Sequence, residues 1–109
     1  FELEKFYESH ARIYIYGAGK YGKRIKRYFE YRNWEYECFL VSKEEDVIEG
    51  CTRYDTVMIE PTDGIIMALG NKNLDEVLRL VKNMISNDQM FLPESVVERP
   101  VSCELISLM

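Results

Sequence analysis

Ile13-Tyr14-Ile15-Tyr16-Gly17-Ala18-Gly19-Lys20-Tyr21-Gly22 is a strand pattern that runs into a Gly-x-Gly-x-x-Gly turn and, at once, into a helical pattern. Glycines at this spacing gain meaning from that context, because strand, tight turn and helix in succession form a backbone arrangement that receives a phosphate. Each glycine has its own reason. Gly17 permits the tight turn, Gly19 lets backbone approach a pyrophosphate, and Gly22 lets the helix pack against the strand. The unpaired N–H groups at the helix start then face the phosphate oxygens. Gly17, Ala18, Gly19, Lys20, Tyr21 and Gly22 are therefore the first candidate binding residues. The same residues also suit a plain strand-to-helix turn with no ligand, and on the sequence alone both readings stand.

Downstream of the turn, Tyr21, Ile25, Tyr28, Phe29 and Arg32 recur at helical steps from Lys20 to about Arg32, with Lys20, Lys23, Arg24, Lys26 and Arg27 mostly on the other side. The basic set reads as a solvated face. Lys20 and Lys23 fall in the first turn, where the helix dipole prefers anions, so a bound anion would account for them. Asn33 and Trp34 close the helix. Trp34 to Val41 reads as the second strand. A dinucleotide-binding unit offers an Asp or Glu at the tip of that strand, roughly 20 residues past the glycines, to hold a ribose. The tip here is Leu40-Val41-Ser42-Lys43, and Glu44, Glu45 and Asp46 follow in what reads as an exposed loop, with Val47 and Ile48 tucking in. Ser42 remains able to make one hydrogen bond to a ribose or base.

The third strand lies near Cys51–Tyr54 or near Thr56–Ile59, with no full helix before the next strand. Glu60-Pro61-Thr62-Asp63-Gly64 is a turn cluster. Ile65-Ile66-Met67-Ala68-Leu69 is a buried strand ended by Gly70, and Leu74, Val77, Leu78, Val81 and Ile85 form the apolar stripe of a second main helix, with Asn73 as its N-cap and Asp75 and Glu76 in its first turn. Gly70 and Asn71 thus sit at a second strand-to-helix turn. In a doubly wound sheet that turn lies beside the first, at the crevice where ligands bind, so both residues join the candidate site. An ordinary loop would use them equally well. Gln89 to Leu92 is a last short strand. At the front, Phe1, Leu3, Phe6 and Tyr7 suit a short helix ending at Ser9-His10. His10, the only histidine, reads as a partly exposed residue leading into the first strand, since no nucleophile or carboxylate is placed beside it by motif.

The 109 residues make one domain, able to bury a core without staples. The net charge of −5 argues against a nucleic-acid partner and against anionic lipid. The three cysteines, Cys38, Cys51 and Cys103, are far apart, which fits neither a disulfide framework nor a zinc site and points to reduced thiols in a cytoplasmic protein. Cys38 reads as a buried small hydrophobe. There is no leader pattern and no apolar run of about 18 residues, so no membrane insertion is expected. The chain begins at Phe1, which suggests a piece of a longer protein or a trimmed start. Residues 93–109 read as a linker or docking tail. Val101, Cys103 and Leu105 alternate with polar neighbours as an added strand would, and the apolar end, Leu105-Ile106-Ser107-Leu108-Met109, would pack on the body, on a second copy or on a further domain of a parent protein.

Three stretches carry a family resemblance: Ile13 to Gly22, Cys38-Phe39-Leu40-Val41-Ser42, and Ile65-Ile66-Met67-Ala68-Leu69-Gly70-Asn71. The pattern through Phe91 resembles the small Rossmann-like N-terminal domain of bacterial nucleotide-sugar acetyltransferases, and similar domains attached to glycosyltransferases and other cell-surface polysaccharide enzymes. That resemblance implies that the nucleotide part of a UDP-sugar is held by Gly17, Gly19, Lys20, Tyr21, Ser42, Gly70 and Asn71. Two departures accompany it. The acidic pair such enzymes often carry at the second-strand tip is Val41-Ser42 here, and the hexapeptide repeats that bear their catalytic histidine are absent, although Leu92-Pro93-Glu94-Ser95-Val96-Val97 is similar to the entry into them. Any acyl or glycosyl transfer would belong to other parts of a parent protein.

The expectation is an α/β three-layer Rossmann-like unit with a parallel sheet of about four or five strands in the order 3-2-1-4-5. The functional expectation is a nucleotide or nucleotide-sugar binding module without catalytic residues of its own. The rivals are an NAD(P)-binding regulatory or oxidoreductase module, and a ligand-free structural or oligomerisation domain whose crevice its own side chains would fill.

Overall fold

The computed structural model describes residues 2–93. The readings that fall on 94–109, including Cys103, the added strand and the apolar chain end, lie outside the described residues. The elements are α1 (Glu2–Glu8), β1 (Ile13–Tyr16), α2 (Lys20–Arg32), β2 (Phe39–Val41), β3 (Cys51–Arg53), β4 (Gly64–Met67), α3 (Asn71–Lys82) and β5 (Met90–Phe91). They form a five-stranded sheet in the order β3-β2-β1-β4-β5, with every neighbouring pair parallel. The α/β parallel architecture and its strand order are therefore as the sequence predicts.

β1 is the centre of this arrangement. Its four residues are all buried, as a strand covered on both faces must be. Ile13 and Ile15 face one side, where Leu3 and Phe6 of α1 and Ile25, Tyr28 and Phe29 of α2 pack on them. Tyr14 and Tyr16 face the other, with Leu40, Ile65 and Met67, under Val77 and Val81 of α3. The period-two alternation of a strand thus splits a single apolar run between two cores. Each fully buried side chain of this kind contributes about 1.5–3 kcal/mol relative to exposure.

Several boundaries differ from the sequence reading. β2 begins at Phe39, not Trp34. Trp34 stacks flat on Tyr7, ring centroids 4.4 Å apart, and meets Phe29 edge-on at 5.3 Å, so the chain from 34 to 38 follows aromatic packing before it joins the sheet. Arg32 lies over the Trp34 ring and donates to Glu4 at 2.6 Å, which ties α1 to α2. α3 begins at Asn71, three residues before the expected start. Its N-cap is Gly70, and the amides of Asn73 and Leu74 both donate to the Gly70 carbonyl, so Asn73 is inside the helix and the first turn carries no acid. The third strand takes the earlier of its two candidate positions.

No helix covers the connection from β3 to β4 among the described residues. A single 3-10 turn, Tyr54–Thr56, opens it, and half-buried Tyr54, Val57 and Ile59 close the α3 side of the sheet in place of one. Cys38 and Cys51 are both half-buried and face opposite cores, which keeps them apart as free thiols. Burial pushes the Cys38 thiol up from its ordinary range.

The end of the sheet where the strands begin is closed by a polar network. Asp63 is fully buried and Gln89 nearly so. Arg12 donates to Asp63 through Nε at 3.1 Å and Nη2 at 2.8 Å, and the Glu60 amide donates to the same carboxylate at 2.9 Å. Gln89 Nε2 donates to the carbonyls of Glu60 and Asp63. His10 is half-buried, as its place before the first strand suggests. Its Nδ1 lies 2.7 Å from the Phe6 carbonyl oxygen and its Nε2 2.9 Å from that of Asp88.

Candidate functional site

At the opposite end, where the strands finish, a cleft of about 760 Å³ opens between the turns that follow β1, β2 and β4. Its floor and walls come from Tyr16 to Tyr21 after β1, Val41 to Lys43 after β2, and Ala68 to Gly70 after β4. The two glycine-marked turns that the sequence places side by side are side by side here, because β1 and β4 are neighbours in register, Tyr16 against Met67.

The glycines divide the work. Gly17 has φ +103°, a conformation that side-chain-bearing residues rarely take, and a Cβ on it would stand 2.6 Å from the Ala68 carbonyl oxygen. Its amide donates to the Leu40 carbonyl at 2.9 Å, which locks the turn to β2. Gly22 is buried, and a Cβ there would meet the Gly17 carbonyl oxygen at 1.9 Å. Gly22 does not line the cleft: counted among the candidate binding residues, it serves instead by letting α2 close onto β1. Gly19 is the reverse case, with no atom within 4 Å of where its Cβ would be. It faces the open cleft. It also caps α2 with no side-chain hydrogen bond, and the first amide turned back to it is that of Lys23. The amides of Lys20, Tyr21 and Gly22 precede any helical acceptor, as in every helix start.

Ala18 is half-buried against the α2 core. Lys20 is exposed at the cleft, its Nζ 5.5 Å from the centre of the Tyr21 ring, and Arg24 lies at the same distance from that ring. Tyr21 packs, as its spacing suggests, and also lines the cleft, with its ring 3.3 Å from where a Gly70 Cβ would be. Ser42 lines the cleft at the β2 tip, and its Oγ is 2.6 Å from the Tyr16 hydroxyl. Gly70 lines it at the start of α3. Asn71 is the first residue of α3, and its side chain lies outside the described residues.

Three features escape the sequence reading. Glu45 and Asp46 line the cleft although they follow β2 late, because a 3-10 turn over Glu44–Asp46 curls the chain, with the amides of Asp46 and Val47 donating to Lys43 and Glu44 carbonyls. Val47 and Ile48 do not tuck in. They are exposed, Ile48 at 67%, since no helix among the described residues packs over this connection, and Ile48 forms part of the cleft wall. Tyr16 reads as one more strand residue, yet it lies beneath the cleft, where its hydroxyl meets Ser42 Oγ. Burial pushes the Tyr16 phenol above its ordinary range, against the smaller opposing effect of its hydrogen bond with Ser42.

The cleft is therefore mixed in charge, with Lys20 and Lys43 on one part of its rim and Glu45, Asp46 and Glu76 on others. Among the described residues, no group of three or more His, Cys, Asp or Glu side chains could hold a metal ion, and no helix is long and apolar enough to cross a membrane. No family model, no curated protein and no solved structure matches this chain.

Proposed function

We infer that the cleft is the binding site for a nucleotide-type ligand, with a nucleotide sugar of the UDP class favoured, and that the chain is a binding module of an enzyme that builds or modifies cell-surface polysaccharide. The ligand's phosphates would lie over Gly19, against the first-turn amides of α2, with Lys20 beside them. The observation that carries this reading is the empty space above Gly19 in an open cleft. A turn that used glycine only for its own geometry would need Gly17 and Gly22, which have no room, and would gain nothing from Gly19. The resemblance to the nucleotide-sugar acetyltransferase domains supports the choice of ligand class. On this reading the module binds and presents, and the reaction belongs to a parent protein.

A second reading has an observation of its own. Glu45 and Asp46 bring carboxylates to the cleft near the β2 tip, where a dinucleotide's ribose hydroxyls would need acceptors. That favours NAD over NADP among the nicotinamide cofactors.

Calorimetric titration with UDP, UDP-GlcNAc, NAD and NADP separates the two. Tighter binding of the uridine ligands is the expected result, and preference for NAD would move the chain to the second reading. Silence from all four would leave a ligand-free scaffold. Gly19→Val is the companion variant. With open space around it, it should change stability by no more than about 1 kcal/mol and reduce affinity at least tenfold. A folded variant with full affinity would remove the site from the turn.

A further inference from the structure

Tyr16 and Ser42 form a pair whose direction is set by burial. Tyr16 stands opposite Leu40 in the parallel register of β1 and β2, and Ser42 lies two residues beyond Leu40, just past the end of β2. The tyrosine's length carries its hydroxyl diagonally to Ser42 Oγ, 2.6 Å away. Tyr16 is 1% exposed and sits among Leu40, Ile65, Met67 and Val77, and Ser42 Oγ is the one hydrogen-bond partner its hydroxyl has among the described residues. If Ser42 donated, the phenolic hydrogen would be left buried with no other acceptor within hydrogen-bond reach among the described residues, which is the costly arrangement. With Tyr16 as donor both needs are met, since Ser42 is half-buried at the cleft wall and can turn its own hydrogen into the cleft.

We propose that Tyr16 is a positioning residue that holds the Ser42 hydroxyl as a hydrogen-bond donor into the cleft, so that the β2 tip selects a ligand presenting an acceptor oxygen there. This rests on the nucleotide-site reading above. It inverts the polarity of an acid at that position, which can only accept and so reads the hydroxyls of a ribose. Two chemistries supply an oxygen that only accepts, a pyrimidine carbonyl and a phosphate ester, and they are told apart by the probe that responds. The carboxylates of Glu45 and Asp46 are not hydrogen-bonded to Ser42, so they do not take up its hydrogen.

The test is a double-mutant cycle with Tyr16→Phe and Ser42→Ala, read by calorimetry with UDP, NADP and inorganic pyrophosphate, after thermal melts show each variant folded. Wild-type protein is expected to bind pyrophosphate at the glycine turn and a nucleotide more tightly. Each single variant should weaken the tighter nucleotide about fivefold to tenfold, and the double variant should weaken it no further, because Tyr16 acts only through the Ser42 donor that it orients. Pyrophosphate affinity should be unchanged in all three, and Ser42→Thr should keep nucleotide affinity. A response to UDP assigns the acceptor to the base carbonyl, and a response to NADP assigns it to the 2′-phosphate. Additive losses, or equal losses for pyrophosphate and nucleotide, would make Tyr16 a support of the turn and overturn the proposal alone. Wild-type protein that binds none of the three would overturn the site reading and this proposal with it.

Discussion

The two ends of the sheet are built on opposite plans. Where the strands begin, every buried polar group that the chain brings there has a partner. The Asp63 carboxylate takes Arg12 and the Glu60 amide, Gln89 spans the carbonyls of Glu60 and Asp63, and His10 joins α1 to the turn before β5. Where the strands finish, the helices α2 and α3 start at glycines without a side-chain cap, and a cleft lies between them. Charge follows the same division. The buried acid at the closed end is neutralised in place, whereas the lysines and acids at the open end stand at a solvent-filled rim. One end is satisfied internally and holds the fold. The other keeps an open cleft between two helix starts that no side chain caps.

The comparison breaks most sharply if the open end is assumed to be soft because it is open. Gly22→Ala should have the largest effect. Its Cβ would be 1.9 Å from the backbone carbonyl oxygen of Gly17, an atom that the Gly17 turn and its bond to Leu40 hold in place. Relief requires α2 to move off β1, with Ile25 and Phe29 losing their packing. A loss of more than about 3 kcal/mol is expected, a fall in Tm of more than about 10 °C for a domain of this size. A variant that melts within a few degrees of wild type would show that the turn yields, and that the opening is not held by close packing.

These two glycines also mark how far the sequence could be read. Gly17 and Gly22 are legible because they obey short-range rules: strand, turn and helix are contiguous, Gly17 takes a positive φ at the turn itself, and the clash that excludes a side chain at Gly22 comes from Gly17, five residues back. The strand order was legible for a related reason, since helical and strand periods alternate and parallel strands need crossovers. The polar partnerships were not. Arg12 and Asp63 are 51 residues apart, and nothing in the turn cluster around Pro61 says that its aspartate is buried. Trp34 was misplaced because a strand and an aromatic-packed approach to a strand share the same residues. Glu45 and Asp46 lie in an exposed connection, as the sequence suggests, but their turn toward the cleft is not legible because a 3-10 turn leaves no periodic trace. In the cleft, residues on the glycine turn could be named from sequence, while Tyr16 could not, because its role depends on what the neighbouring strand places two residues past its partner.

A narrower break concerns the closed end. Arg12→Ala removes the guanidinium that forms the ion pair with a fully buried carboxylate, and should destabilise the fold. The Arg12 side chain is itself 41% exposed, so most of the loss comes from the stranded Asp63 and little from the arginine's own burial. Two consequences sharpen the contrast in urea melts and titrations. Adding Asp63→Asn to Arg12→Ala should recover part of the stability, since the uncompensated charge is gone. Nucleotide affinity per folded molecule should stay at the wild-type value, because the network lies at the far end of β1. A loss of affinity in the folded variant would mean that the two ends are coupled through β1 and β4.

The smallest effect separates the ends by pH. Burial alone pushes the Asp63 carboxyl up, but the hydrogen bonds from Arg12 and the Glu60 amide outweigh it, and the group lies below its ordinary value in the folded protein. The unfolded chain therefore takes up this proton first. The stability that the pair confers is fully present above the unfolded value, about pH 4, and is lost as pH falls through the lower folded value. Asp63→Asn has no such proton to take up. Its Tm should lie several degrees below wild type at pH 7, hold that deficit down to about pH 5, and draw closer to the wild-type Tm below about pH 4, as pH falls toward the lowered folded value. Thermal melts of the two proteins side by side cancel the titration of the other carboxylates, which they share. A deficit that stays constant to pH 3 would mean that Asp63 serves the closed end by shape and hydrogen bonding, with its charge contributing nothing.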